Sequence, residues 1–265
     1  MQRAIDIASA HHPHPNPRVG CVVVARAAIV GEGAHRTAGT PHAEMLALDA
    51  AGSSAFTSDV YVTLEPCNHT GRTRPCTDAL IRAGVAKVIV ATVDPDPRVS
   101  GSGIRALEEA GIEVELGVLQ EEAVDLDFGY HHHRHTGRPY VHVVLTQSVP
   151  GGLGEKANAD LDYLRSRFDH VVGGEGDLLH LPAAVHVSLR AQLATLGADG
   201  IVDLGVRDDP ALTVALSADG LIDRVTMYTA NGRPDWGPLG SGHGFTITNT
   251  DTIGPETRHD ARKAY

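Results

Sequence analysis

At 265 residues with 42% hydrophobic content, the chain is long enough for one large domain or two modest ones with ordinary cores. A formal net charge of −11 disfavours a nucleic-acid backbone as partner, because such binding needs a basic face that releases counterions. No run of about 18 apolar residues is present to span a membrane, and the N-terminal "MQRAIDIASAHHPHPNP" lacks the basic-then-apolar order of a signal peptide. The expectation is a cytoplasmic protein with no nucleic-acid or membrane partner.

In chain order, "QRAIDIASA" (2–10) fits a short amphipathic helix, stopped by the Pro-rich "HHPHPNPR". "VGCVVVA" and "AAIVGEG" read as the two strands of a hairpin. From Pro41 the pattern "PHAEMLALDAAG" turns helical, with Pro near its first turn and Gly near its end. A strand "DVYVTLE", a cysteine-bearing loop, a helix "CTDALIRAG", a buried strand "KVIVATVDP", a helix "GIRALEEAG" and a strand "IEVELGVL" follow. Strands alternating with helices at this spacing indicate an α/β domain with a largely covered sheet. That unit, 1–136, is expected to close at the cluster "YHHHRHTGR", read as a solvated linker because no carboxylate or thiol accompanies it at ligand spacing. A second unit, 137–265, starts with the strand "TGRPYVHVVLTQ". Helix and strand signals weaken through "DGLIDRVTMYTA", and the Gly-rich "NGRPDWGPLGSGHGFTITNTD" reads as loops with at most one strand.

Three cysteines are too few for a disulfide framework and suggest ligands or a buried thiol. His42, Cys67 and Cys76 form a set that zinc commonly takes in catalytic sites, three protein ligands with one position left for water. Two thiolates and a neutral imidazole balance the ion's charge, and the water's pKa falls toward neutrality. Helix starts near His42 and Cys76 would aim their positive ends at the site and favour thiolate over thiol. Glu44, two residues after His42, reads as the proton shuttle: a carboxylate there can take a proton from water and deliver protons to a ring nitrogen and a departing amine. Cys21, inside "GCVVVA", reads as a packed core thiol.

"HPNPRVGCVVV", "GEGAHRTAGTPHAE", "YVTLEPCNHTGRTRPC" and "ALIRAGVAKVIVATVDPDPRVSGSGIRALEEAGIEV" resemble the deaminase domain of the bifunctional riboflavin-biosynthesis deaminase/reductase family, from about residue 2 to residue 145. Cytidine and tRNA-adenosine deaminases share the His-x-Glu and Pro-Cys elements but usually space their cysteines Cys-x2-Cys, whereas here the spacing is Cys-x8-Cys. The resemblance implies a three-layer, cytidine-deaminase-like α/β/α domain with a mixed sheet, followed by a shortened α/β reductase-like domain. It implies a zinc hydrolase that removes the 2-amino group of a diaminopyrimidinone bearing a ribosylamino 5-phosphate, a small phosphorylated substrate. By the same resemblance Asn16 would bond the pyrimidine, His35, His69 and Arg72 would surround the polar groups and phosphate, and Asp94 with Asp96 would complete the pocket. The "HTGRTR" stretch supplies the fixed cations that a phosphate needs. Asn68, Arg74 and Asp96 stand where the family usually has Ser, Pro and Asn.

In the family the second half reduces the ribose of the deaminated product with NADPH and opens with a Lys-bearing strand followed by Ser-Leu-Asp-Gly. Here "PYVHVVLTQSVPGG" puts an apolar residue near Val143 or Val144 in place of that Lys, and Pro150 in place of the Asp. "GGLGEK" is not a P-loop and "GSGIRAL" lacks the third glycine of a dinucleotide fingerprint. The expectation is that reductase activity and NADPH binding are lost, and that this unit serves packing or homo-oligomer assembly. Two other readings remain open: a deaminase acting on a related heterocycle in specialised metabolism, and a non-catalytic scaffold.

Overall fold

The structure is a computed structural model that describes the chain except for residues 70–73, 98, 148, 150, 174–187, 231, 233, 237–238, 240–243 and 264–265. The chain divides into two units, Met1–His135 and Thr136–Tyr265. In the first, strands β1 (Gly20–Ala25) and β2 (Ala28–Ala34) form the antiparallel hairpin, with Gly20 opposite Ala34. Strand β1 also pairs antiparallel with β3 (Asp59–Val62), and β4 (Lys87–Val90) and β5 (Glu113–Leu116) continue in parallel, giving the mixed order β2-β1-β3-β4-β5.

The near-continuous apolar run of β1 follows from cover by helices. Helices α1 (Gln2–Ser9) and α2 (Ala43–Ala51) both pack on the hairpin; α2 meets α3 (Cys76–Ala83), while α1 meets α5 (Gln120–Leu126) through Ile5, Ala8 and Leu126. This is the α/β/α layering. Helix α2 can lie so close because β2 carries glycine: a Cβ on Gly33 would come within 2.3 Å of the Ala43 carbonyl oxygen. Helix α4 (Ser102–Glu109) precedes β5.

Of residues 130–138, expected as a solvated linker, all but the last two belong to helix α6 (Phe128–Thr136), with Tyr130 and His132 buried. Its inward positions are polar aromatics, so the apolar periodicity that marks a packed helix is missing from the sequence.

The second unit carries a six-stranded sheet of β6 (Tyr140–Gln147), β7 (His170–Val172), β8 (Asp203–Arg207), β9 (Arg224–Thr229), β10 (Phe245–Ile253) and β11 (Glu256–Lys263), in the order β10-β11-β9-β6-β8-β7. Strands β7, β8, β6 and β9 run parallel, and β11 and β10 add antiparallel. Helix α7 (Glu155–Arg165) covers one face through Ala157, Leu161 and Leu164 against Val144 and Tyr228. Helices α8 (Leu189–Ala198) and α9 (Pro210–Ala218) bury Leu193 and Leu216 with Val141, Val143, Leu204 and Val225.

Within the Gly-rich tail 231–251, expected as loops with at most one strand, the described residues hold the one strand β10, which pairs as a hairpin with the following strand β11. Its inner positions are charged: Asp260 accepts from the Thr226 hydroxyl and from Arg224 and Arg258, each guanidinium at 3.2 Å. Ion pairing across β9 and β11 therefore replaces the alternating hydrophobic pattern that usually announces a strand.

Candidate active site

Because β1 is antiparallel to β3 while β3 and β4 are parallel, the start of β1, the end of β2 and the ends of β3 and β4 meet at one edge of the first sheet. Asn16 precedes β1, His35 follows β2, Glu65 and Cys67 follow β3, and Asp94 and Asp96 follow β4. Open α/β sheets bind ligands at such strand ends. A cavity of about 210 Å³ lies here, lined by residues that include Asn16, His35, His42, Glu44, Cys67 and His69, together with Asp94 and Asp96.

His42 is the N-cap of α2 and Cys76 is the first residue of α3, so both helix N-termini face the same point. The donor atoms of His42, Cys67 and Cys76 lie within 4.8 Å of one another. His42 Nδ1 is 3.2 Å from Cys76 Sγ and 3.5 Å from Cys67 Sγ, and the Cys76 backbone N–H donates to Cys67 Sγ at 3.4 Å. A hydrogen bond from the Cys76 thiol, with further donation from His42 and the Cys76 N–H, holds the Cys67 thiol down to about 4; the Cys76 thiol is correspondingly raised. Two sulfurs sharing a proton beside an imidazole form a donor set that fits zinc, which replaces that proton and takes both sulfurs as thiolates. Cys21 lies fully buried in β1, outside this group.

Glu44, in the first turn of α2, is 3% exposed, and burial together with the charge on Cys67 raises its carboxyl above the usual range. His35 donates from Nδ1 to the Pro41 carbonyl at 3.1 Å and accepts at Nε2 from the Asn16 amide at 3.0 Å. Burial pushes its pKa down, so it stands as a neutral ring that fixes the Asn16 side chain. Asp94 accepts from the Asp96 backbone N–H at 2.8 Å and from the Tyr130 hydroxyl at 3.3 Å, and burial raises its carboxyl. Arg72 lies outside the described residues.

Three polar lining residues escaped the sequence reading: Glu65, Tyr130 and Arg134. Glu65 accepts from the backbone N–H groups of Gly101 (2.9 Å), Gly103 (2.8 Å), Asp94 (3.3 Å) and Ile104 (3.4 Å), binding the start of α4 and the Asp94 loop to the strand that leads into Cys67. A Cβ on Gly103 would meet the Pro66 carbonyl oxygen at 2.0 Å, so only glycine admits this contact. Its adjacency to "PC" in "LEPC" was the available signal. Asn68 does not line the cavity; it bridges the starts of α3 and α4, accepting from the Thr77 hydroxyl at 2.8 Å and donating to the Ser102 carbonyl at 3.3 Å.

In the second unit, Val143 and Val144 are buried in the two hydrophobic cores. Pro150 lies outside the described residues. A cavity of about 540 Å³ opens at the end of β6, lined by residues that include Leu145, Gln147, Asp208, Met227, Asp235 and Trp236. Among the described residues, no helix is long and apolar enough to cross a membrane.

Residues 1–92 match the cytidine and deoxycytidylate deaminase zinc-binding region. The riboflavin biosynthesis protein RibD of Aquifex aeolicus is 41% identical over 216 residues, covering 81% of this chain and 56% of the relative; RibD of Escherichia coli is 42% identical over 219 residues, covering 82% and 55%. The chain thus spans little more than half the length of these curated relatives. Among solved structures, Acinetobacter baumannii RibD superposes with a TM-score of 0.84 at 28% identity, covering 100% of this chain and 98% of that one. A Thermotoga maritima deaminase/reductase gives 0.85 at 23% identity, which shows the shared fold. The zinc-binding region, the sequence identity and the superposition agree in making this chain similar to the riboflavin-biosynthesis deaminase/reductase proteins.

Proposed function

We propose that the first unit is a zinc-dependent hydrolytic deaminase. Its proposed substrate is 2,5-diamino-6-ribosylamino-4(3H)-pyrimidinone 5′-phosphate, and its products are 5-amino-6-(5-phosphoribosylamino)uracil and ammonia. The observation that carries this reading is the convergence of His42, Cys67 and Cys76 beside the buried carboxyl of Glu44, on the wall of a cavity lined by hydrogen-bonding groups. His42, Cys67 and Cys76 would hold the zinc, which when bound supplies Lewis-acid activation of water.

Glu44 takes a proton from the attacking water and delivers it to the ring nitrogen; a second transfer to the exocyclic nitrogen lets ammonia leave. Burial and the charge on Cys67 raise its carboxyl, which favours the proton-carrying form that both roles use. Asn16, fixed by neutral His35, offers its amide to the pyrimidine edge. His69 and Arg72 serve the sugar-phosphate side, and Asp94 with Asp96 closes the pocket. The experiment is ammonia release from the diaminopyrimidinone phosphate by the full chain, with and without chelation of zinc. Zinc-dependent release is expected; a zinc-loaded chain that releases none would overturn the reading.

For the second unit we favour assembly of a homo-oligomer over reduction, supported by the core positions of Val143 and Val144 in the strand where the family carries a lysine. NADPH oxidation coupled to the deaminated product would refute this.

A further inference from the structure

We propose that Arg134, on α6 and outside every recognised motif, is a specificity-determining residue of the deaminase pocket that donates a hydrogen bond to an oxygen of the substrate. The inference rests on the deaminase reading and adds a residue to it.

Arg134 lines the cavity and its guanidinium lies over the Tyr130 ring, 5.0 Å from the centroid. Its Nη1 is 3.9 Å from Asp96 Oδ2, an ion-pair distance too long for a hydrogen bond. Asp96 stands where the family usually has Asn, so the pocket holds an added negative charge and a cation facing it. Tyr130 in turn donates to Asp94. Four side chains, Asp94, Asp96, Tyr130 and Arg134, therefore form one wall, and the arginine is clamped on its face by the ring and at its tip by the carboxylate.

What is left over points to a ligand. Among the described cavity-lining residues, Arg134 Nε is the buried polar side-chain atom without a hydrogen-bond partner. Buried donors are rarely left unpaired, because each costs its desolvation without return. The neighbouring polar groups are engaged: Asn16 with His35, His35 with Pro41, Asp94 with Tyr130 and the Asp96 N–H. Arg134, its side chain 31% exposed, thus presents to the cavity a guanidinium held over Tyr130 and beside Asp96, and an oxygen acceptor on the substrate would pair with it. Such an oxygen could belong to the phosphate or to the ring and sugar.

The test uses the zinc-loaded full chain and its Arg134→Met and Arg134→Lys variants, with ammonia release measured from the phosphorylated substrate and from its dephosphorylated counterpart. Loss of one charge-assisted hydrogen bond should raise KM by about 10- to 100-fold in Arg134→Met with kcat changed little. Lysine keeps the charge facing Asp96 but not the planar fork, and should recover only part of the loss. A rise confined to the phosphorylated substrate assigns the oxygen to phosphate; a rise on both assigns it to the ring or sugar. An unchanged KM in Arg134→Met, or full recovery by lysine, would overturn the inference while the deaminase reading stands. A wild-type chain inactive on both compounds would remove that reading and the inference with it.

Discussion

Replacing Glu65 by Gln should loosen the active-site edge without touching a proposed zinc ligand. The carboxylate accepts from four backbone N–H groups, those of Asp94, Gly101, Gly103 and Ile104, at 2.8 to 3.4 Å in a site 3% exposed. Glutamine keeps one accepting oxygen and turns an amide NH2 toward the donors on the other side. Two of the four bonds are then lost and the remaining two become neutral. With hydrogen bonds to charged groups worth about 1.5–3 kcal/mol each, the cost is about 4 kcal/mol. At about 3 °C per kcal/mol for a domain of this size, the unfolding transition of the first unit should fall by roughly 12 °C. Calorimetry on the zinc-loaded chain measures this, and amide exchange should accelerate first at Gly101 and Gly103. A shift under about 3 °C would refute the view that Glu65 ties α4 to the Cys67 strand.

Gly33→Ala should push α2 off the hairpin at Ala43, costing about 1–3 kcal/mol and lowering zinc affinity because His42 caps that helix; a denaturant melt with a zinc titration reads both. Cys76→Ser should abolish stoichiometric zinc in metal analysis while the first unit still folds, because α3 keeps its remaining buried contacts at Ala79 and Leu80. Asp127, despite its burial, is held below the usual carboxylate range by His14 at 2.8 Å and by Arg18, whose backbone N–H donates at 2.7 Å. A depressed carboxyl contributes stability that is present above its unfolded pKa of about 3.9 and is lost as pH falls through the lower folded value. Asp127→Asn should therefore flatten the acid limb of the stability profile below about pH 4; an unchanged limb would contradict the pairing.

The cluster of His42, Cys67 and Cys76 was legible because metal chemistry restricts both residue type and spacing. The outer pocket was legible only where a motif named it, as for Asn16, His35 and Asp94. Glu65 was hidden because its partners are backbone N–H groups from a segment some forty residues away, which no side-chain pattern announces. Tyr130 and Arg134 were hidden for a different reason. Helix α6 presents polar aromatics and a cation to a polar cavity, so its inward face has the composition of a solvated surface. The same substitution of ion pairs for hydrophobic alternation concealed β11, where Asp260 and Arg258 occupy positions that Val or Ile would have advertised.

The central claim is that Glu44 moves protons beside a zinc held by His42, Cys67 and Cys76. It is tested most directly by ammonia release from the diaminopyrimidinone phosphate, comparing the wild-type chain with Glu44→Gln at equal zinc content. Release by the wild type, reduced by about 10²- to 10⁴-fold in the variant while zinc stays bound, is expected. Equal rates at equal zinc would contradict the assignment of Glu44.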